Sequence, residues 1–165
     1  MHDVRSKKIA RIGRLSALGA LLLVANTIPA TAGDMLEGRV KTVSDGDTLV
    51  VGRAGRARVV QLAGIDAPEL MQEFGPEARQ FVRDFTAGKQ VKVEVLETKS
   101  RESVVGRVTV DGRDLAAALI ERGLAWASES SSPDLRSAEA KAKSDGSGLW
   151  ASSTPTPPWE FRKSA

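Results

Sequence analysis

The sequence contains no cysteine and no tyrosine, and its single histidine is His2. Without cysteine, a disulfide framework, a thiolate nucleophile and a cysteine zinc site are excluded. With no histidine after residue 2, a Ser-His-Asp triad and a histidine metal site are excluded from the rest of the chain. Carboxylates, lysine, arginine and hydroxyls remain for chemistry. Carboxylates without histidine favour hard cations such as Ca²⁺, Mg²⁺ or Mn²⁺.

The sequence also lacks an excess of positive charge that extends along its whole length. The 165 residues carry 24 Lys and Arg against 21 Asp and Glu, a net charge of +3 and a pI of about 9.4. Residues 1–32 hold five of the basic residues and one acidic residue, which leaves 19 and 20 in the remainder, a net charge of −1. The basic character therefore belongs to the first 32 residues, and the rest of the chain is near neutral.

The first 32 residues have the pattern of an export signal. A basic segment over 1–14 precedes an apolar run of 11 residues at 15–25, and small residues follow at Ala30 and Ala32. This order predicts a secretory signal cleaved after Ala32, and a chain from Gly33 that is periplasmic or secreted. The apolar run is shorter than the ~20 residues that a membrane-spanning helix needs. We therefore expect no membrane span in the mature chain; an uncleaved N-terminal anchor is the alternative.

After the signal, strand patterns come first and helix patterns later. Alternating apolar residues predict strands, and apolar residues three or four apart predict helices. The pattern indicates one α+β domain over 33–163, with a Ser/Thr/Pro-rich tail at 152–163. Five short strands with helical insertions favour a closed OB-type barrel. The predicted strands are 40–44, 48–51, 56–65, 91–96 and 104–110, and the predicted helices are 76–86, 115–120 and 133–143.

Two acidic motifs flank the second and third predicted strands. Asp47 precedes one strand, and Asp66 and Glu69 follow the other. If these strands pair as a hairpin across 52–55, the acids converge at one end. Converging carboxylates repel unless a cation neutralises them, so the pattern predicts a hard-metal site. Each motif alone also fits a structural role, because Asp-Gly favours turns and Pro68 ends strands.

Arg107 follows Gly106 inside a predicted strand, where a solvated surface arginine is the ordinary interpretation. A bound cation, a poised carboxylate and an arginine would together promote attack of water on a phosphodiester. The cation and the arginine would stabilise charge on the phosphoryl oxygens, and the carboxylate would take a proton from water.

The ordered motifs over 38–162 resemble the staphylococcal nuclease, or thermonuclease, family. The resemblance implies a five-stranded OB-type β-barrel with about three α-helices. It also implies a Ca²⁺-dependent endonuclease that acts on DNA and RNA and leaves 3′-phosphates; we expect a monomer. The motifs are DGDT (45–48), GIDAPE (64–69), FGPEA (74–78), GR (106–107), RGLAW (122–126), AEAKAKSDGSGLW (138–150) and PPWEFR (157–162).

The same resemblance implies a role for each matching residue. Asp47 and Asp66 would ligate Ca²⁺ through their carboxylates, and Ala67 through its backbone carbonyl. Glu69 would be the general base for water. Arg107 would bind the phosphoryl group and stabilise its charge.

The sequence departs from the family pattern at two positions. Gln61 stands where the family has its other catalytic arginine, and Val105 stands where tyrosine is usual. Glutamine carries no charge and no guanidinium fork. Losing such a donor typically costs a factor of ~10²–10³ in rate. Arg58 lies an odd number of residues away and so points to the opposite strand face. The sequence therefore predicts a weakened enzyme.

Two other functions stay open. One is a catalytically impaired OB-type module of the cell envelope that binds nucleic acid, polysaccharide or a protein partner. The other is a related phosphodiesterase with a different substrate or metal. The acids and Arg107 favour the nuclease, whereas Gln61 and the near-neutral charge favour the binding module. Trp126, Trp150 and Trp159 are expected to pack structurally, with Trp159 docking the C-terminal tail onto the barrel.

Overall fold

A computed structural model describes residues 34–53 and 55–164, so the expected export signal at 1–32 lies outside the described residues. Within the described ranges, no helix has both the length and the apolar composition needed to cross a bilayer. In chain order the elements are β1 (Met35–Val43), β2 (Thr48–Arg53), β3 (Arg56–Leu62), β4 (Ile65–Asp66), α1 (Gly75–Thr86), β5 (Val91–Thr98), β6 (Ser103–Val110), β7 (Arg113–Asp114), α2 (Leu115–Glu121), β8 (Trp126–Ala127), α3 (Pro133–Ser144), a 3₁₀ turn (Gly148–Ala151) and α4 (Pro158–Ser164).

Five of these strands close into a barrel. The order is β3-β2-β1-β5-β6, and β6 also pairs in parallel with β3, so the sheet meets itself. Closure leaves these strands without a long free edge, which is how small all-β cores avoid edge-to-edge pairing. The predicted α+β fold with a five-stranded OB-type barrel is confirmed.

The barrel interior is filled by the residues at alternate positions along each strand, whose side chains face inward. Val51 and Val60 from the β2–β3 hairpin are fully buried, as are Val93 and Val108 from the β5–β6 hairpin. Helix α2 adds Leu119, which is also fully buried. At the start of α2, the Asp114 carboxylate accepts a hydrogen bond from the Ala117 amide at 2.9 Å, which satisfies one of the free amides of the first turn.

The third predicted strand, 56–65, is shorter in the structure. β3 ends at Leu62 because Gly64 adopts a φ of 78°, a left-handed conformation that breaks the extended chain. The chain then resumes as β4, which pairs antiparallel with β8 so that Asp66 lies opposite Trp126. The break changes the direction of the chain just before the second acidic motif.

The three predicted helices are present, and the Pro-rich tail adds a fourth, α4. Pro158 stands first in α4, where its fixed φ suits a helix and its missing N–H has no intrahelical partner to lose. The rings of Trp159 and Trp126 lie edge to face at 6.4 Å, and Trp150 packs on Trp126 at 5.4 Å. The packing roles expected for the tryptophans are confirmed, and Trp159 docks the tail next to β8.

Candidate active site

A cavity of about 430 Å³ opens where β2 begins and β3 ends. The β2–β3 hairpin places Thr48 opposite Gln61, so the residues just before β2 and just after β3 meet at one end, as the sequence predicts. We call this space the acid cavity. Its acidic lining residues are Asp45, Asp47, Asp66, Glu69 and Glu97, and its basic ones are Lys99 and Arg162.

Asp47 is held rigidly at the base of the acid cavity, with only 8% of the residue exposed. One carboxylate oxygen accepts the Ala67 amide at 2.9 Å, and the other accepts the Thr48 hydroxyl at 2.9 Å. Asp45 forms the preceding turn by accepting the amides of Asp47 at 3.0 Å and Thr48 at 2.7 Å. Asp47 therefore joins the two acidic motifs through a single buried hydrogen bond.

Burial raises the pKa of Asp47 from 3.8 to about 7. The hydrogen bond from Ala67 opposes this rise because it favours the charged form, while the charges of Asp45 and Asp66 add to it. A positive charge near this buried carboxylate would stabilise its ionised form.

The loop between β4 and α1 fixes the backbone at Glu69. The Glu69 amide donates to the Gln72 side chain at 3.2 Å, and the Gln72 amide donates back to the Glu69 carbonyl at 2.9 Å. Gly75 packs so closely that a Cβ there would lie 1.9 Å from the Glu69 carbonyl oxygen. The side chain of Glu69 lines the acid cavity beside Asp66.

Arg162 of α4 reaches into the acid cavity, which sequence reasoning missed. Its two terminal nitrogens donate to the two oxygens of Asp66 at 3.1 and 2.7 Å, and Nη1 also donates to Glu69 at 2.7 Å. These hydrogen bonds raise the pKa of Arg162 further above its ordinary value. The PPWEFR motif contains this arginine, but no local pattern shows that it meets acids more than 90 residues away.

Gln61 and Val105 line the acid cavity, but Arg107 does not. Arg107 follows two residues after Val105, on the same strand face, and lines a neighbouring cavity of about 570 Å³. Its guanidinium contacts Glu94 at 2.7 Å and Asp114 at 3.7 Å.

The two cavities adjoin, since Gly64 and Ser130 line both. Arg58 lines a different cavity and pairs with Asp34 at 3.7 Å, so it does not replace the charge that Gln61 lacks. The structure thus brings Asp47, Asp66, Ala67 and Glu69 together in the acid cavity and places Arg107 in the adjoining cavity.

The predicted metal ligands fit a hard cation by chemistry. Asp47 and Asp66 offer carboxylate oxygens and Ala67 a carbonyl, the ligands that Ca²⁺ prefers. The raised pKa of Asp47 shows a buried carboxylate that a cation would stabilise. No group of three or more acidic or histidine side chains in the described ranges is gathered closely enough to hold a metal ion. Arg162 is the cationic group that faces Asp66 and Glu69 in this structure.

A sequence profile described as "Staphylococcal nuclease homologue" matches residues 59–152. The chain belongs to the staphylococcal nuclease family. An "Uncharacterized endonuclease" of Escherichia coli is 32% identical over 145 residues, which cover 86% of this chain and 94% of the relative. An "Uncharacterized endonuclease" of Haemophilus influenzae is 30% identical over 155 residues, 92% of this chain and 87% of the relative.

A plant member of the staphylococcal nuclease family matches a smaller part. The "Probable staphylococcal-like nuclease CAN1" of Oryza sativa subsp. japonica is 35% identical over 106 residues, 63% of this chain and 32% of the relative. The shared domain and the names of these relatives support a nuclease function at the level of the family, with nucleic acid as the substrate class.

Proposed function

We propose that this chain is an exported, Ca²⁺-dependent endonuclease that hydrolyses phosphodiester bonds of DNA and RNA and leaves 3′-phosphates. The observation that carries the proposal is the acid cavity, where Asp47, Asp66 and Glu69 from two motifs line one open space. Family membership supports the same chemistry, because two bacterial relatives that match most of the chain are named endonucleases.

Each residue of the acid cavity has a task in this proposal. Asp47, Asp66 and the Ala67 carbonyl would hold Ca²⁺, which when bound would neutralise charge on the phosphate. Glu69, whose backbone the loop fixes, would accept the proton of the attacking water. Arg107, whose cavity adjoins the acid cavity, would bind the phosphoryl group and stabilise the charge that develops on it.

The reaction balances with water as the only co-substrate. The oxygen of water forms a bond to phosphorus while its proton passes to Glu69. The bond between phosphorus and the 5′ oxygen breaks, and that oxygen takes a proton from solvent. The phosphate then remains on the 3′ oxygen, and Glu69 returns its proton to water.

Gln61 makes the proposed enzyme slower than one with arginine at this position. Its amide lines the acid cavity and can donate hydrogen bonds to a phosphate, but it carries no charge. A missing charged donor of this kind costs a factor of ~10²–10³ in rate.

Export belongs to the proposal because residues 1–32 combine a basic segment, an apolar run and small residues before Gly33. Expression of the full chain in a Gram-negative host tests this part. Intact mass spectrometry of the periplasmic and culture fractions should find a protein that begins at Gly33. A protein that keeps residues 1–32 would contradict export by cleavage.

The test of activity is digestion of plasmid and single-stranded DNA by the chain from Gly33. We expect cleavage with Ca²⁺, none with a chelator, and products with 3′-phosphates. Glu69→Gln should lose a factor of ~10²–10⁴, because the general base is gone. Full activity in chelator, or in Glu69→Gln, would contradict the proposal.

One observation favours the non-catalytic alternative. Arg162 pairs with both Asp66 and Glu69, so a cation of the chain itself already faces two of the five acids that line the cavity. A binding module would hold labelled single-stranded DNA in the chelator and leave it uncut after Ca²⁺ is added. The same digestion experiment therefore separates the two functions.

A further inference from the structure

Arg162 is the guanidinium that this fold places against the predicted catalytic acids. The cationic side chains that line the acid cavity are Lys99 and Arg162, and Arg162 contacts Asp66 and Glu69 directly. Arg107 lies in the adjoining cavity, and Gln61 in the acid cavity is neutral. We propose that Arg162 is a catalytic residue that binds the phosphate at the acid cavity; this inference rests on the proposed nuclease function.

The docking of α4 holds Arg162 in place through contacts with two other segments. The Gln72 side chain, in the loop that carries Glu69, donates to the Thr156 carbonyl at 2.5 Å just before α4. Pro158 is buried, and Trp159 packs edge to face on Trp126. The tail is thus fastened to the same two segments that position the acids.

The guanidinium has donors left for a substrate. Arginine carries five N–H donors, and Arg162 makes three hydrogen bonds to protein acceptors in the described part of the chain. Its side chain is 48% exposed and lines the opening of the cavity. Phosphate oxygens are anionic acceptors, as the oxygens of Asp66 and Glu69 are. A phosphate bound to the cation that these acids would hold would lie within hydrogen-bond reach of the Arg162 guanidinium.

A purely stabilising ion pair is a weaker explanation of this arrangement. Surface ion pairs typically contribute about 0–1 kcal/mol to stability, and the bidentate geometry with Asp66 places this pair toward the upper end of that range. Trp159 and Pro158 already dock α4 through apolar contacts. The contact instead places one guanidinium against both Glu69, the predicted base, and Asp66, a predicted metal ligand. Charge would develop on a phosphate beside these two residues in the transition state.

The experiment compares Arg162→Ala with Lys163→Ala at saturating Ca²⁺, with a single-stranded oligonucleotide as substrate. Lys163 is the matched control, since it is an exposed cation one residue further along α4. We expect Arg162→Ala to lower kcat by ~10²-fold, as loss of a transition-state donor does. We expect Lys163→Ala to match the wild type in kcat, and both variants to keep its melting temperature within about 2 °C.

Gln61→Arg supplies a guanidinium from another residue that lines the acid cavity, and it distinguishes a catalytic role of Arg162 from a structural one. In the wild type it should raise kcat by up to the ~10²–10³-fold that Gln61 costs. In the Arg162→Ala background it should raise kcat by a larger factor, because the described residues that line the acid cavity then include no other guanidinium. Binding of a labelled oligonucleotide in the Glu69→Gln background gives a second readout. It should weaken at least tenfold when Arg162→Ala is added.

Four results would overturn the inference. A higher kcat in Arg162→Ala would show that the arginine obstructs the site. A lower kcat with a lower melting temperature and no rescue by Gln61→Arg would show a structural role. Cleavage and oligonucleotide binding unchanged in Arg162→Ala would overturn the inference and leave the nuclease function intact. Absence of cleavage in both wild type and Gln61→Arg would overturn the nuclease function and this inference with it.

Discussion

At the scale of single residues, Asp47 connects the architecture of the site to its electrostatics. Its carboxylate accepts the Ala67 amide across the cavity and the Thr48 hydroxyl beside it. These bonds favour the charged form, yet burial outweighs them and the pKa rises to about 7. A residue with this balance stabilises the fold when protonated, and when ionised it destabilises the fold unless a positive charge lies beside it.

The stability of the metal-free protein should therefore depend on pH through Asp47. The folded protein holds this proton up to about pH 7, whereas the unfolded chain releases it near pH 3.8. Because the folded state binds more protons between these values, the contribution is complete below pH 3.8 and falls as pH rises through 7. Urea unfolding in chelator should show lower stability at pH 8 than at pH 5.

The matched variant isolates this contribution. Asp47→Asn cannot ionise, so the unfolding free energy of the wild type minus that of the variant should fall from pH 5 to pH 8. Adding Ca²⁺ at pH 8 should restore stability to the wild type and not to Asp47→Asn, because the cation binds the ionised form. A wild type that gains stability relative to Asp47→Asn as pH rises would contradict the assignment.

Sequence reasoning located the acids because their positions follow from strand register. Asp47 and Asp66 lie beyond the adjacent ends of two strands joined by a short turn, so hairpin pairing brings their two segments to one end of the barrel. The break after Leu62 and the hydrogen bond from Ala67 to Asp47 then complete the approach. Arg162 could not be found in this way, since its contact with Asp66 depends on how the whole tail packs. The sequence could not place Arg107 in one of the two adjoining cavities, because its position depends on contacts with Glu94 and Asp114 from other segments.

At the scale of elements, the loop between β4 and α1 decides where the predicted general base lies. Gly75 begins α1 with its Cα against the Glu69 carbonyl, and its amide donates to the Gln72 carbonyl at 3.0 Å. The loop is therefore closed on itself at a point where only glycine fits. The close packing of Gly75 on Glu69 means that the first residue of α1 helps to position the predicted general base.

Gly75→Ala should damage both stability and activity. Its Cβ would fall 1.9 Å from the Glu69 carbonyl oxygen, so the backbone must move. Overpacking of this kind costs about 1–3 kcal/mol. A displacement of ~1 Å at a reacting group can cost ~10²-fold in rate. Urea unfolding and oligonucleotide cleavage at saturating Ca²⁺ measure the two effects.

Gly88→Ala is the control for Gly75→Ala. Gly88 has a φ of 70°, and a Cβ there would meet nothing within 4 Å. It should lose about 1–2 kcal/mol through the left-handed conformation alone and keep the wild-type kcat. Equal kcat in Gly75→Ala and Gly88→Ala would show that the close packing does not position Glu69.

Strands and helices were predictable where the sequence shows a clear hydrophobic periodicity. Alternation in VKVEVL and VVGRVTV predicted β5 and most of β6, and the apolar spacing from Ala78 to Phe85 predicted α1. The break after Leu62 was not predictable, because glycine is permitted, not forced, to adopt a positive φ. Helix α4 was hidden because its seven residues follow a Pro-rich segment and are too few to show a period.

At the scale of the whole molecule, net charge gives no general attraction to a polyanion, since residues 33–165 carry 19 basic and 20 acidic residues. Positive charge is instead local. Parallel pairing of β3 with β6 brings the β2–β3 turn beside the β5–β6 loop, and the Val59 amide donates to the Glu102 carbonyl at 2.8 Å. Arg56, Arg58 and Arg101 line one surface there, and Lys99 from the same loop lines the acid cavity.

A long substrate that enters the acid cavity should therefore pass these basic side chains, and a short one should not reach them. For single-stranded DNA, each neutralised phosphate contributes about −0.7 to the slope of log affinity against log salt. Arg56→Ala and Arg101→Ala together should raise KM for a long single strand several-fold at low salt and flatten this slope by about one to two units. They should leave kcat unchanged, because neither residue lines the acid cavity.

Substrate length separates this surface from the site. A dinucleotide substrate should show the same KM with wild type and with the double variant. Arg83→Ala removes an exposed arginine on α1 that lines a different cavity, and it should leave KM for the long strand unchanged. If the double variant and Arg83→Ala changed KM and the salt slope equally, the attraction would come from total charge. The meeting of two turns at the rim of the barrel would then have no part in guiding the strand.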